Sequence, residues 1–259
     1  MKTTGKESKE AIQYSTSTDA IATKRKTPLY ARQHYLAWYD IGIVTVIMFF
    51  WGIYSSTVQY SGIVRQTVSV LETTDFTPSD NYRALVMQGI FLIITFLYLR
   101  MRRFDFSRWT ITVSASGYGY GILLFLVEAL CMDAYTFLTA GIADRLPLPS
   151  VYDCITQFDF SVVIYALLNG FYEEIYFLGI CPSVKDESLK WTIPFSLIVR
   201  WSFHTYQGMT ISLGLGFVLG LLLYGVYKRS KTKNLFPFFV AHTIADIAGL
   251  TIAYYVFSH

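Results

Sequence analysis

Seven apolar segments are separated by short polar stretches along the chain, near 38–61, 84–100, 110–132, 160–182, 191–206, 209–227 and 234–257. Each is close to the ~17–25 residues that an α-helix needs to cross a ~30 Å hydrocarbon core. The pattern predicts an all-α polytopic membrane bundle of about seven transmembrane helices. Ahead of it, residues 1–35 are rich in Lys, Thr, Ser and Glu with no apolar period, and read as a disordered basic tail. Residues 36–159 then form an N-terminal set of helices, and 160–259 a core built on the last four.

Composition agrees with this pattern. Of 259 residues, 53% are hydrophobic and only 15% charged, the balance of a membrane protein. The net charge of +3 matters less than its placement. Basic residues fill the tail (Lys24, Arg25, Lys26), the 101–109 loop (Arg102, Arg103, Arg108), and the 183–190 and 228–233 loops. Acidic residues prevail at 62–83 and in 133–159, with Asp133, Asp144, Asp153 and Asp159. The positive-inside rule then predicts a cytoplasmic N-terminus and an outside C-terminus. Cys131, Cys154 and Cys181 follow no metal or redox spacing, and Cys131 and Cys181, in or beside apolar runs, read as small buried hydrophobes. Ser114, Ser116, Gly117, Gly119 and Gly121 in the third segment read as close helix packing.

One pair breaks the apolar pattern. Glu173 and Glu174 sit inside SVVIYALLNGFYEEIYFLGI. A carboxylate at bilayer depth costs at least ~2.5–3.5 kcal/mol, so the pair implies partners. Four histidines exist, and two, His204 and His242, fall inside apolar segments. Asn169 and Glu173, Arg200 and His204, and His242 and Asp246 are each spaced i,i+4, so three helices each aim one polar pair in one direction. Glu128 in the third segment carries no motif and reads as structural. A glutamate and a histidine can together deprotonate a water, and a second histidine can stabilise an oxyanion, which suits amide hydrolysis. Two His with Glu and Asp are also plausible zinc ligands, but His-Glu-x-x-His is absent and the residues are scattered over three helices. No metal and no cofactor is expected.

At these residues the chain resembles the CPBP family of intramembrane glutamic endopeptidases, the CAAX proteases and bacteriocin-processing enzymes. The family pattern is Glu-Glu-x-x-x-Arg, Phe-x-x-x-His and His-x-x-x-Asn/Asp on separate helices. Here it reads Glu173-Glu174-Ile175-Tyr176-Phe177-Leu178, Arg200-Trp201-Ser202-Phe203-His204 and His242-Thr243-Ile244-Ala245-Asp246. The resemblance implies a water activated by Glu173 with His204, an oxyanion site at His242 and Asp246, and an electrostatic role for Glu174. It also implies a membrane-associated peptide or precursor as substrate: a leader, bacteriocin or quorum-sensing precursor, or a CAAX-type sequence. A prokaryotic plasma membrane is the expected setting, with lipid as a neighbour and nucleic acid no partner. Two positions depart from the pattern. Leu178 stands where the family has Arg, and Arg200 where it has Phe, which makes Arg200 the expected charge partner of Glu174. The alternative is a non-catalytic membrane immunity or scaffold protein retaining the same bundle. A proton-coupled transporter would use the same carboxylates, but the chain lacks internal repeats.

Overall fold

Long apolar helices cross one another in an all-helical bundle, seen in a computed structural model that describes residues 32–74, 76–139 and 159–257. From Gln33 onward the chain forms one compact unit. The principal helices are α1 (Trp38–Val64), α2 (Pro78–Met101), α3 (Ala115–Leu138), α4 (Phe160–Glu174), α5 (Asp186–Phe203), α6 (Met209–Arg229) and α7 (Phe236–Ala248). Four of them, α1, α2, α3 and α6, are long and apolar enough to span a membrane, and the chain is a polytopic helical membrane protein. The exposed side chains on α1 and α2 include Phe50, Trp51, Ile93 and Leu97. That outward apolar surface is what a lipid-facing helix needs.

The helix ends differ from the segments read by hydropathy, for local chemical reasons. The third segment begins at 115, not 110, because Ser114 caps it, its Oγ accepting from Gly117 N at 3.0 Å. Residues before it run extended, and Thr110 O accepts from Leu235 N at 2.8 Å. The helix then continues to Leu138, so Asp133 belongs to α3 and not to the following loop. The fifth segment starts at Asp186, with Asp186 and Glu187 favourably placed in its first turn, and ends at Phe203. His204 is therefore the C-cap of α5. The seventh segment is not one span. It ends at Ala248 because Gly249 adopts φ +79°, a left-handed conformation that glycine enters without cost. A short helix, Ala253–Phe257, follows. Asp133 caps it, its Oδ2 accepting from Ile252 N and Ala253 N at 2.8 Å each.

Residues 1–31 of the expected tail lie outside the described residues, as do Asp144, Asp153, Cys154 and His259. The end of that segment and the residue after it are bound to the bundle: Gln33 N donates to Arg103 O at 2.9 Å and Leu36 N to Ser183 O at 2.7 Å. A buried carboxylate not evident from hydropathy, Asp40, ties α1 to the end of α2. Asp40 accepts from Arg102 Nε at 2.8 Å and from Tyr98 OH at 2.6 Å.

Close backbone approach decides which helix faces meet. At Gly170 on α4 an added Cβ would lie 2.9 Å from Phe239 O and 3.1 Å from Thr243 N, so α7 rests directly on the α4 backbone. At Gly216 on α6 it would lie 2.5 Å from the Trp201 Cβ of α5. Of the small residues in α3, Gly117 and Gly121 meet Phe236 and Val240 of α7, as close packing requires. Gly119 does not, having nothing within 4 Å of its added Cβ. Tyrosines join α4 and its extension to α1: Tyr176 OH lies 2.5 Å from Thr45 Oγ1, and Tyr172 OH donates to Met48 O.

Gly170→Val is expected to cost roughly 1–3 kcal/mol by overpacking the α4–α7 contact, while Gly119→Ala changes stability by less than about 0.5 kcal/mol. Thermal unfolding of the detergent-solubilised variants checks this. Equal melting temperatures for the two would contradict the packing.

Candidate active site

The C-terminal part of α4 carries the first three polar side chains of the site. Asn169 and Glu173 are one turn apart, and Glu174 follows. All three are buried, with Glu174 fully so at 0% exposure. Immediately after Glu174 the helix widens into a π turn, Ile175–Ile180, a local irregularity often found at functional sites. Cys181 N bonds to Tyr176 O at 2.9 Å, five residues back. Leu178 is buried within this turn among apolar neighbours.

Arg200, in the last turn of α5, faces Glu174. Its Nη2 donates to Glu174 Oε1 at 2.5 Å, and both side chains are buried. The guanidinium carbon lies 4.2 Å from the Phe177 ring centroid, so the cation is held between a carboxylate and an aromatic face. From α7, His242 Nδ1 donates to the same Glu174 Oε1 at 2.8 Å. One carboxylate oxygen thus joins a guanidinium and an imidazole. With Nδ1 engaged, His242 Nε2 points at Glu173 Oε2, 3.7 Å away, and at Asp246 Oδ1, 3.6 Å away.

Asn169 links the other side. Its Nδ2 donates to Glu173 Oε1 at 3.2 Å and to Asp246 Oδ2 at 2.8 Å. Its Oδ1 accepts from Gln88 Nε2 of α2 at 2.7 Å. Glu173, Glu174, Arg200, His242 and Asp246 are therefore brought into one connected cluster from three helices. His204 is placed beside it. Its Nδ1 is bound to Arg200 O at 2.7 Å. As that carbonyl can only accept, Nδ1 carries a proton, and in the neutral ring Nε2 keeps its lone pair. The histidine in contact with both glutamates is His242.

A cavity of about 1000 Å³ is lined by Glu173, Arg200, His204, His242 and Asp246. Glu173 Oε2 has no hydrogen-bond partner among the described residues. Tyr165, Gln88 and Glu128 also line the cavity. The only sequence signal of Gln88 is a lone amide in an apolar run. Tyr165, one turn before Asn169, had none, since tyrosines are abundant in this chain. Among the described residues no group of three His, Cys, Asp or Glu side chains is arranged to hold a metal ion.

Residues 156–248 match the family described as Type II CAAX prenyl endopeptidase Rce1-like. The matched stretch contains all three motifs, and the family read from them is the family matched. No curated protein and no solved structure matches the chain.

Removing one partner of a buried ion pair strands the other charge. Arg200→Leu is expected to cost about 3–5 kcal/mol, and Glu174→Leu placed in the same chain to restore much of that loss. Denaturant unfolding of the single and double variants in matched micelles checks this. A double variant as unstable as the sum of the singles would show that the two residues act independently.

Proposed function

We propose that this CAAX protease relative is an intramembrane endopeptidase that hydrolyses a peptide bond with a water activated at Glu173. The observation carrying this reading is the geometry of Glu173. Its Oε1 is held by Asn169 at 3.2 Å, its Oε2 has no hydrogen-bond partner among the described residues and lies 3.7 Å from His242 Nε2, and the residue belongs to the wall of a large cavity. The family match supports the same reaction class.

In this mechanism a water bridges Glu173 Oε2 and the lone pair of His204 Nε2. Glu173 takes one water proton as the oxygen attacks the carbonyl carbon of the scissile bond. The carbonyl π electrons move to its oxygen, where His242, protonated on Nε2, donates a hydrogen bond to the oxyanion. Glu174 orients His242 through Nδ1, and Arg200 balances the Glu174 charge. Asp246 orients the same ring, and Asn169 keeps Asp246 and Glu173 in register. Collapse of the intermediate breaks the C–N bond. Glu173 then gives its proton to the leaving amine, so that a carboxyl and an amine result. Asp246, once protonated, would add a second donor to the oxyanion.

The substrate of this reading is a membrane-associated peptide or precursor, either a CAAX-type sequence or a leader to be processed. The basic loops support a cytoplasmic N-terminus for the enzyme. A non-catalytic immunity or scaffold role is the contrary result of the test.

Glu173→Gln keeps the shape and the Asn169 contact but cannot take a proton. It is expected to lower cleavage of a precursor at least ~100-fold, with His204→Ala and His242→Ala also severely impaired, at matched expression and monodispersity. Full activity in all three would exclude the proposed chemistry. Binding of a precursor without product from the unsubstituted protein would favour the non-catalytic role.

A further inference from the structure

Glu128 is a buried carboxylate that the hydrolytic mechanism does not use. It lies in the middle of α3, 3% exposed, and lines the same cavity as the Glu173 cluster. Its Oε1 is buried with no hydrogen-bond partner among the described residues. The cation nearest in role, Arg200, is already paired with Glu174. The other acid on the α3 wall, Asp133, spends its oxygens on Thr251, Ile252 and Ala253. Glu128 thus lines the cavity at bilayer depth with Arg200 and His242 acting on it only through space and, among the described residues, no ion pair or hydrogen bond joining it to either, a setting in which a group that pairs with it directly is favoured.

What surrounds it narrows the partner. One turn on, Met132 packs with Leu215 and Leu219 of α6 in a small apolar cluster. Leu215, Leu219 and Leu223 recur every four residues along α6 and line the cavity. An apolar trough beside a carboxylate fits a side chain with a methylene stem and a cationic head, as Lys and Arg have. A purely apolar side chain would leave the carboxylate unmatched. A small cation would leave the trough unfilled.

We propose that Glu128 and the Met132–Leu215–Leu219 wall form a specificity subsite that receives a lysine or arginine side chain of the peptide substrate. This rests on the endopeptidase reading above and assigns a substrate class to the same cavity. The subsite lies on α3 and α6, whereas Glu173, His242 and Asp246 lie on α4 and α7. It therefore selects a substrate residue through side chains that the proposed hydrolysis does not use.

The test uses the full chain in nanodiscs and peptides carrying a single Lys, Arg or norleucine at successive positions around the cleaved bond. At one position Lys and Arg are expected to raise kcat/KM about thirtyfold or more over norleucine, the scale of a buried charge pair. Glu128→Gln should erase that preference. Equal cleavage of all three peptides at every position would overturn the subsite and leave the endopeptidase reading intact, as would a preference that survives Glu128→Gln. If no peptide is cleaved, the endopeptidase reading fails. The subsite is then judged by fluorescence anisotropy of the labelled peptides: tighter binding of Lys than norleucine, lost in Glu128→Gln, supports it, and equal binding overturns it.

Discussion

The contact between Glu174 and Arg200 is the constraint on which the rest of the site depends. Neither charge could stay buried in an apolar bundle alone, because desolvation would exceed any packing gain. Together, 2.5 Å apart, they join α4 to α5. The same Glu174 oxygen then holds His242 of α7 at 2.8 Å. Three helices are tied through one atom. The two adjacent glutamates differ in setting: Glu174 holds Arg200 and His242 through one oxygen and is closed off from solvent, whereas Glu173 lines the cavity.

Packing and electrostatics reinforce each other at this point. Gly170 lets the α7 backbone approach α4 one turn ahead of the glutamate pair. Without that approach His242 would not reach both Glu174 and the space beside Glu173. The π turn after Glu174 places Phe177 against the guanidinium and buries Leu178 in the apolar core. With Leu178 apolar, the buried positive partner of Glu174 comes from α5 rather than from the glutamate helix itself.

Much of this was legible in the sequence because helical periodicity is simple. The i,i+4 pairs Asn169/Glu173, Arg200/His204 and His242/Asp246 indicate a shared face on each helix, and charged groups in apolar runs must find one another. Which histidine meets which glutamate was not legible. That depends on the Gly170 contact and on His204 capping α5 with its Nδ1 turned to Arg200 O, both matters of helix placement. The break at Gly249 was hidden because the residues after it are as apolar as those before. The Asp40–Arg102 contact was hidden because each residue reads as an ordinary interfacial charge, and only the fold shows Asp40 to be fully buried. Gln88 was passed over since its partner, Asn169, lies on a helix distant in sequence.

The central claim is that this buried cluster performs hydrolysis by a water taken up at Glu173. Cleavage of a precursor peptide by the purified chain in water enriched in oxygen-18, followed by mass spectrometry of the products, tests it most directly. The account predicts one labelled oxygen in the new C-terminal carboxyl group, with a free amine on the other fragment. Product formed without label, or intact precursor after incubation with folded protein, would contradict it.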